Sequence, residues 1–384
     1  MNFAFTDDQR VFQRDLYRFL SESVSDDLKA EVRRLNVRGP ATAEFWRRFN
    51  RRGWLGASWP TEYGGLGRSK LFEYILSEAL EFHEAPPIPL VVTSLGPTLM
   101  RVGTEAQKRL LLPGIIRGAI DIALGYSEPN AGSDLSAITT KAVASRDGFV
   151  IKGLKSYTSI AHYSTYIWLA ARTNDSVSRH RGLSIFLVPT NAPGVTVRPV
   201  WTIGEGRLND VFFDDVHVPR ESLIGEIDKG WYYMMMALDF ERSSLAPYSL
   251  LMRLLQDLLD YVQTDGLALR DRKETRHRLA EIMVRVQVAR VLAFRTAWLI
   301  DRGESPHYEA HIQKLHRSET LQLIVSTGMV LLGLRSQLLT SDKRAVLSAK
   351  FPQFWQLAVR TTIGAGTSEV LRTTIASRGL GLPR

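Results

Sequence analysis

A short polar loop is the part of this sequence best suited to hold a ligand. It spans residues 126–134 (YSEPNAGSD) and contains two turn-forming residues, a helix-breaking proline and three hydroxyl side chains. Such a loop exposes backbone N–H groups and hydroxyls to a bound molecule, and Gly132 lets the backbone approach that molecule closely. The plain alternative is a polar turn without a ligand. The loop therefore indicates a binding site only if other segments agree with it.

Three further segments agree with this loop, and they follow one another in the order of a known family. They are residues 59–65 (WPTEYGG), 215–219 (DVHVP) and 363–370 (IGAGTSEV). With the loop, they make the chain resemble the acyl-CoA dehydrogenase family over essentially its whole length. The resemblance implies that family's α+β fold, with an N-terminal helical domain, a middle antiparallel β domain and a C-terminal four-helix bundle. It also implies dehydrogenation of an acyl-CoA thioester between Cα and Cβ.

That reaction has two chemical requirements. A base must remove the weakly acidic α-proton, and an acceptor must take the β-hydrogen as hydride. No amino-acid side chain accepts a hydride, so a flavin is needed. The resemblance implies FAD, with its ring held between the sheet domain and the bundle.

The catalytic base can be sought at two positions of the family pattern. Many members carry a Glu directly before the Gly-Thr of the C-terminal motif, where this chain has Ala365. A subset resembling isovaleryl-CoA dehydrogenase carries the Glu in an Asp-x-Glu-Arg sequence on the first long helix of the C-terminal domain, and residues 239–242 (DFER) match it. We therefore predict Glu241 as the base, with a pKa raised toward neutrality by burial. The alternative is a surface carboxylate next to Arg242.

The resemblance assigns further residues to the cofactor and to the substrate. The implied cofactor-binding residues are Leu124, Tyr126, Ser127, Ser133, Tyr157, Thr158, Ser159, Thr367 and Glu369. The implied substrate-binding residues are Ser133, Tyr232, Asp239, Arg242, Ala365 and Gly366. The N–H of Ala365 would bind the thioester carbonyl, as in an oxyanion hole. Residues 157–159 replace the family's Trp-Ile-Thr with Tyr-Thr-Ser, which keeps an aromatic ring and a hydroxyl, although Ile160-Ala161 replaces the usual Asn-Gly.

Two segments depart from the family where it holds the ADP half of the neighbouring subunit's FAD. Asp265, Ala268 and Leu269 stand where Arg, Phe and Gly are expected, and Arg276 stands where Gln is expected. Residues 329–335 (MVLLGLR) likewise lack the Gln, Gly-Gly and Gly-Tyr of a second contact. In this the chain resembles one half of the heteromeric acyl-CoA dehydrogenases of actinobacteria, several of which act on steroid side chains. The alternative is that Arg270 or Arg272 replaces the lost contact after a register shift.

The resemblance also implies the partners of the reaction. They are an acyl-CoA substrate, a second, different acyl-CoA dehydrogenase-like subunit in a heterotetramer, and an electron-transfer flavoprotein that accepts the electrons. Two other functions stay open on the same fold. One is a non-catalytic structural partner subunit, against which Glu241 and the intact loop argue; the other is a flavin oxidase or monooxygenase, which differs in oxygen reactivity.

The periodicity of apolar residues divides the chain into three predicted domains. Residues 1–120 are predicted helical, beginning with a capping box of Thr6 and Gln9. Residues 121–226 contain short β-rich runs separated by turns, which is typical of an antiparallel sandwich or barrel. Residues 227–384 return to helical spacing and are predicted to form the bundle. The β-rich runs are 149–151, 166–169, 183–188, 195–197 and 211–213. One apolar helix face consists of Leu251, Leu254, Leu255, Leu258 and Val262. A second apolar helix face consists of Leu279, Ile282, Met283, Val286 and Ala293.

Composition excludes several classes of protein. The chain of 384 residues has a net charge of +9, but its basic residues are scattered, so nucleic-acid binding is not expected. The absence of cysteine excludes disulfides and thiolate metal sites and fits a cytoplasmic location. A charged first segment and the lack of long apolar runs predict no signal peptide and no membrane span. His307 and His311 have metal-ligand spacing, but a polar helix start is the preferred interpretation, and no metal is predicted.

Overall fold

The computed structural model describes residues 4–34, 38–204, 206–244, 248–304, 306, 308–339 and 342–383, with the backbone alone for 242–244 and 267. The helices are α1 (Asp7–Ser23), α2 (Asp26–Arg33), α3 (Pro40–Asn50), α4 (Lys70–Phe82), α5 (Gly96–Val102), α6 (Glu105–Ile116), α7 (Gly230–Ser244), α8 (Ser249–Thr264), α9 (Leu267–Arg270), α10 (Lys273–Asp301), α11 (Glu309–Leu332), α12 (Lys350–Thr361) and α13 (Ser368–Thr374). The strands are β1 (Ile122–Gly125), β2 (Lys141–Ala144), β3 (Gly148–Lys155), β4 (Tyr166–Arg172), β5 (Leu183–Pro189), β6 (Val195–Trp201), β7 (Arg207–Pro219) and β8 (Leu223–Ile224).

The chain folds into two compact units that are interleaved in sequence. The helical unit comprises Met1–Arg33, Ser69–Pro87 and Arg242–Arg384, and the sheet unit comprises Arg34–Arg68 and Ile88–Glu241. The α+β fold class is confirmed. The predicted division at 1–120, 121–226 and 227–384 follows the order of elements along the chain and stays a prediction. No helix in the described residues is both long and apolar enough to cross a bilayer.

The helical unit confirms the local signals of the sequence. Thr6 caps α1 as predicted, because its hydroxyl accepts from the N–H of Gln9 at 3.3 Å while its own N–H donates to the Gln9 amide oxygen at 3.0 Å. The apolar face of α8 packs into the core against α10, α11 and α12, as the 3.6-residue spacing predicts. Of the predicted face on α10, only Met283 is partly buried instead of fully buried.

A buried ion network joins distant parts of the helical unit. Lys350, at the start of α12, donates to Glu84 and to Asp257 at 2.6 Å each, and Arg33 donates to Glu84 at 3.0 Å. All four side chains are less than a tenth exposed. Because a buried charge without a partner is costly, this network fixes the N-terminal helices against the C-terminal ones.

A second buried group makes the stability of the helical unit depend on pH. Glu78 on α4 is buried and accepts a hydrogen bond from the Tyr74 hydroxyl. Burial raises the pKa of Glu78 from 4.5 to about 7, although the Tyr74 hydrogen bond and the charge of Arg290 act in the opposite direction. The folded protein therefore binds this proton more tightly than the unfolded chain, and the resulting stability is present below pH 4.5 and is lost as the pH rises through 7.

We expect the substitution Glu78→Gln to flatten this pH dependence. Relative to the variant, the wild-type free energy of unfolding should fall by up to about 3 kcal/mol between pH 4.5 and 7, since one pKa unit corresponds to about 1.4 kcal/mol. Denaturant unfolding at several pH values measures the effect. The exposed Glu274→Gln on α10 serves as the matched control. Parallel pH profiles for the wild type and Glu78→Gln would contradict the prediction.

In the part of the sheet unit that the structure describes, eight strands form one sheet in the order β6-β7-β3-β2-β4-β5-β8, with β1 paired to β4. Each of the five predicted β-rich runs lies in a strand, and most pairings are antiparallel. Two pairings differ from the predicted antiparallel pattern, because β1 and β2 both run parallel to β4. The chain leaves β1 through the polar loop and enters β4 only after the β2–β3 hairpin, so the two strands point the same way.

Candidate functional site

The polar loop leaves the end of β1 inside the sheet unit. Leu124 is half-buried, Tyr126 is 5% exposed, and the N–H groups of Glu128 and Ala131 each donate to the other's carbonyl at 3.1 Å. These two bonds close a tight turn that leaves Ser133 exposed. A Cβ on Gly132 would meet no protein atom within 4 Å. The fold itself therefore does not require glycine here, and the open side of the loop is free for a ligand.

A buried ion pair lies beneath this loop. The ammonium of Lys155 on β3 donates to the Glu128 carboxylate at 2.8 Å and to the Tyr126 carbonyl at 3.0 Å. The same carboxylate accepts from the N–H groups of Thr139 and Thr140 at 2.8 and 2.9 Å. Burial opposes ionisation of Glu128, but Lys155 and these hydrogen bonds outweigh it and hold its pKa at about 2. The loop is thus anchored by a charged group at its base.

Lys155 and Glu128 were not among the site residues predicted from the sequence, although a signal for them was present. Residues of one strand alternate between faces, so Lys155 lies on the same side of β3 as the buried Ile151. A lysine at an inward position needs a buried partner. In the folded protein, that partner is the carboxylate of Glu128 in the polar loop.

The turn after β3 carries three further predicted cofactor residues. Tyr157 is 60% exposed and has φ +60°, a conformation that non-glycine residues seldom adopt. The turn is held from the other side by the fully buried Asn209, which exchanges two backbone hydrogen bonds with Thr158 at 2.8 and 3.1 Å. The side-chain amide of Asn209 adds a third bond, to the Thr158 carbonyl at 2.9 Å. Strained backbone fixed in this way is characteristic of functional sites.

The loop and the turn are adjacent, as the resemblance implies. The N–H of Ser156 donates to the carbonyl of Ser127 at 2.9 Å. The half-buried Ser159 follows Tyr157 and Thr158 in the turn. Within the sheet unit, the structure therefore brings together the loop and the turn whose residues were predicted to flank the flavin.

Two buried hydroxyls test whether a polar ring fits at these segments. The hydroxyls of Tyr126 and Thr158 are inaccessible to solvent, and neither makes a hydrogen bond of normal geometry among the described residues, although the Trp168 indole is near enough to lower the pKa of Tyr126. Buried hydroxyls without partners are uncommon in folded proteins. A flavin ring carries both donors and acceptors, so the donor set of this site fits FAD.

Helix α7 carries the predicted base, and three contacts within the sheet unit fix its position. Gly230 begins the helix against β5, where a Cβ would lie 2.7 Å from the Ser184 Cα. The Ser94 hydroxyl donates to the Ala237 carbonyl at 2.6 Å, and the guanidinium of Arg101 lies 4.8 Å from the ring centre of Phe240. These contacts fix the helix as far as Phe240 and so also fix the backbone position of the next residue, Glu241.

The half-buried Glu241 acts on the Tyr126 phenol. Burial raises the pKa of Tyr126, and the negative charge of Glu241 raises it further, against an opposite effect of the Trp168 indole. The phenol therefore stays protonated at every physiological pH. The predicted base and the polar loop thus lie in the same compact unit, and the charge of Glu241 acts on Tyr126 although the two residues are far apart in sequence.

The predicted substrate residues of α7 lie on its accessible side. Tyr232 is 57% exposed, and Asp239 is exposed. The side chain of Arg242 lies outside the described residues. Ser133 of the loop is likewise exposed.

The remaining predicted site residues lie together in the helical unit, at the turn before α13. Ala365 has φ +55° and Gly366 has φ +97°, and the ammonium of Lys314 donates to the Gly366 carbonyl at 2.7 Å. Thr367 caps α13 by accepting from the Val370 N–H at 3.2 Å, and the exposed Glu369 lies in the first turn. A left-handed alanine is strained, so this turn is held in its shape by its surroundings.

The two departures from the family pattern lie at the surface of the helical unit. Asp265, Ala268 and Arg276 are exposed, and Arg270 is paired with Asp271 at 3.2 Å. A cavity of about 490 Å³ opens beside them, lined by Leu259, Val262, Gln263, Arg270, Asp271, Thr275, Arg276, Leu279, Ala280 and Met283. In the second segment, Val330 is 79% exposed. Of the histidines considered for metal, His311 is buried on α11 and His307 lies outside the described residues.

Comparison with known proteins agrees with this geometry along the whole chain. Profiles described as the N-terminal, middle and C-terminal domains of acyl-CoA dehydrogenase match residues 6–119, 123–216 and 228–380. Acyl-CoA dehydrogenase FadE26 of Mycobacterium tuberculosis is 31% identical, with 100% of this chain and 99% of that protein covered.

Two solved structures are similar to the whole chain. The "Tcur3481-Tcur3483 steroid ACAD" has a TM-score of 0.93 and 33% identity, with 100% of both chains covered. The ChsE4-ChsE5 complex from Mycobacterium tuberculosis has a TM-score of 0.91 and 31% identity, again with 100% of both chains covered. These whole-length matches show that the chain belongs to the acyl-CoA dehydrogenase family of FAD-binding flavoprotein oxidoreductases.

Proposed function

We propose that this protein dehydrogenates an acyl-CoA thioester to the trans-2-enoyl-CoA, with Glu241 as the base that removes the α-proton. The observation that carries the proposal is the place of Glu241 on α7, which Ser94 and Arg101 anchor in the same compact unit as the polar loop. The charge of Glu241 also raises the pKa of Tyr126, which supports a position of the predicted base near the loop that is predicted to bind the cofactor.

In this proposal, different residues of the chain remove the proton, bind the thioester carbonyl and hold the cofactor. Glu241 takes the α-proton, and the N–H of Ala365 binds the thioester carbonyl and favours the developing negative charge. Tyr126, Ser127, Tyr157, Thr158 and Ser159 hold the cofactor ring, and Thr367 and Glu369 hold the rest of the cofactor. When bound, FAD supplies the hydride acceptor. Because burial and Glu241 keep Tyr126 protonated, it acts as a hydrogen-bond donor and does not compete with Glu241 as a base.

We expect an acyl-CoA substrate to bleach the oxidised flavin band of the FAD-loaded protein under anaerobic conditions, with formation of an enoyl-CoA. The band is followed by absorbance, and the product by mass spectrometry. An alkyl-CoA thioether is the matched control, because without the carbonyl its α-hydrogen is not acidic. Failure of a broad acyl-CoA panel to reduce the flavin would contradict the proposal and favour a structural subunit. Rapid reoxidation by oxygen with release of hydrogen peroxide would favour an oxidase.

The same proposal includes the partners. We propose a heterotetramer with a different acyl-CoA dehydrogenase-like subunit, an electron-transfer flavoprotein as electron acceptor, and a cytoplasmic location. Three valines on α10 and two apolar residues on α12 support an interface, since each is at least 42% exposed: Val284, Val288, Val291, Trp355 and Val359. The similarity to the steroid ACAD and to the ChsE4-ChsE5 complex supports a two-subunit assembly, with a steroid-linked or fatty acyl group as the substrate.

A further inference from the structure

The buried lysine of the sheet unit has no part in the chemistry proposed above. Lys155 is 0% exposed, and Glu128 is 5% exposed. A buried ion pair is often no more stabilising than a pair of well-packed apolar residues, because both charges lose their hydration. Burial accordingly lowers the pKa of Lys155, against the attraction of Glu128. Stability alone therefore does not explain a lysine at this position, and the hydrogen bonds that its ammonium donates give a better reason.

The ammonium joins two segments that the proposed function assigns to the cofactor. It donates to the Tyr126 carbonyl, 29 residues away, while its own backbone leads within two residues to Tyr157. An apolar side chain of the same length would fill the space but would leave that carbonyl without a donor. The next residue, Ser156, adds a backbone bond to Ser127 at 2.9 Å. The spacing between the loop and the turn is thus set by Lys155 and its neighbour.

We propose that Lys155 is a positioning residue that holds the loop 126–134 at the distance from the turn 157–159 that the flavin ring requires. This inference rests on the proposed function, because it assigns the cofactor to these two segments. The charge is needed for the bond to the Tyr126 carbonyl, and Glu128 is needed to keep the charge buried.

The test separates the positioning role from a merely structural one. Lys155→Met alone leaves Glu128 buried and unpaired, so it is expected to destabilise the protein. In the double variant Lys155→Met/Glu128→Gln no charge is left unpaired, and we expect its melting temperature to lie within about 5 °C of the wild type. The matched control is Lys152→Met, on the same strand, whose lysine is exposed and 3.7 Å from Asp215.

We expect the double variant to bind FAD at least about tenfold more weakly than the wild type, with a shifted flavin absorption spectrum. Both are measured on the chain purified with its partner subunit. Hydrogen exchange of the amides of residues 126–134, measured in the same complex after removal of the flavin, should also be at least about tenfold faster. Lys152→Met should match the wild type in all three measurements.

Two outcomes are decisive. A double variant with wild-type FAD affinity, spectrum and amide exchange would overturn the positioning role, while a wild type that is reduced by acyl-CoA would keep the proposed function. A wild type that neither binds FAD nor is reduced would instead refute the proposed function. In that case the amide exchange still shows whether Lys155 holds the loop.

Discussion

Glu241→Gln is expected to lower turnover at least about 100-fold, because it removes the group that takes the α-proton. The substitution is nearly isosteric. It leaves in place the two contacts that anchor α7, which are the hydrogen bond from Ser94 to the Ala237 carbonyl and the packing of Arg101 on the Phe240 ring. FAD and acyl-CoA should therefore still bind. Steady-state turnover, together with the flavin spectrum and its change on adding acyl-CoA, measures the separate effects.

Glu226→Gln is the matched control for this variant, since Glu226 is an exposed carboxylate shortly before the same helix. It should keep wild-type turnover. Near-normal turnover of Glu241→Gln would refute the assignment of the base. Ala365→Glu would then test the other position at which the family carries its glutamate.

The chain expressed alone is expected to be poor in flavin or insoluble. FAD carries two phosphate charges, and removing them from water without cationic or N–H donors is costly. Asp265, which stands where the family has Arg, adds repulsion, and Arg270 is engaged by Asp271. The exposed valines of α10 would also remain uncovered. A partner that retains the Arg, Phe-Gly and Gln of the family would complete the site.

Co-expression with a neighbouring homologous gene is expected to yield a yellow, active heterotetramer with two flavins, one at each unlike interface. The flavin-to-protein ratio and the mass of the complex measure this directly. Arg276→Gln should leave the flavin content of that complex unchanged, because the partner supplies the clamp. A stable homotetramer with one tightly bound FAD per chain would contradict the prediction, and loss of that FAD in Arg276→Gln would then identify the replacement contact.

Much of the fold could be predicted from the sequence because its signals are local. The capping box of Thr6 and Gln9 requires residues only three apart, and the buried face of α8 follows from helical spacing. The β-rich runs fell in strands for the same reason, since alternation is a property of neighbouring residues. The loop 126–134 was recognisable from its own composition.

Other features were decided only by the tertiary structure. The parallel pairing of β1 with β4, the ion network of Lys350, and the pairing of Lys155 with Glu128 each join residues distant in sequence. The electrostatic effect of Glu241 on Tyr126 is of the same kind. A sequence pattern shows which side chains turn inward, but the partner that each one finds depends on how the elements pack, because burial and charge compensation act between neighbours in space.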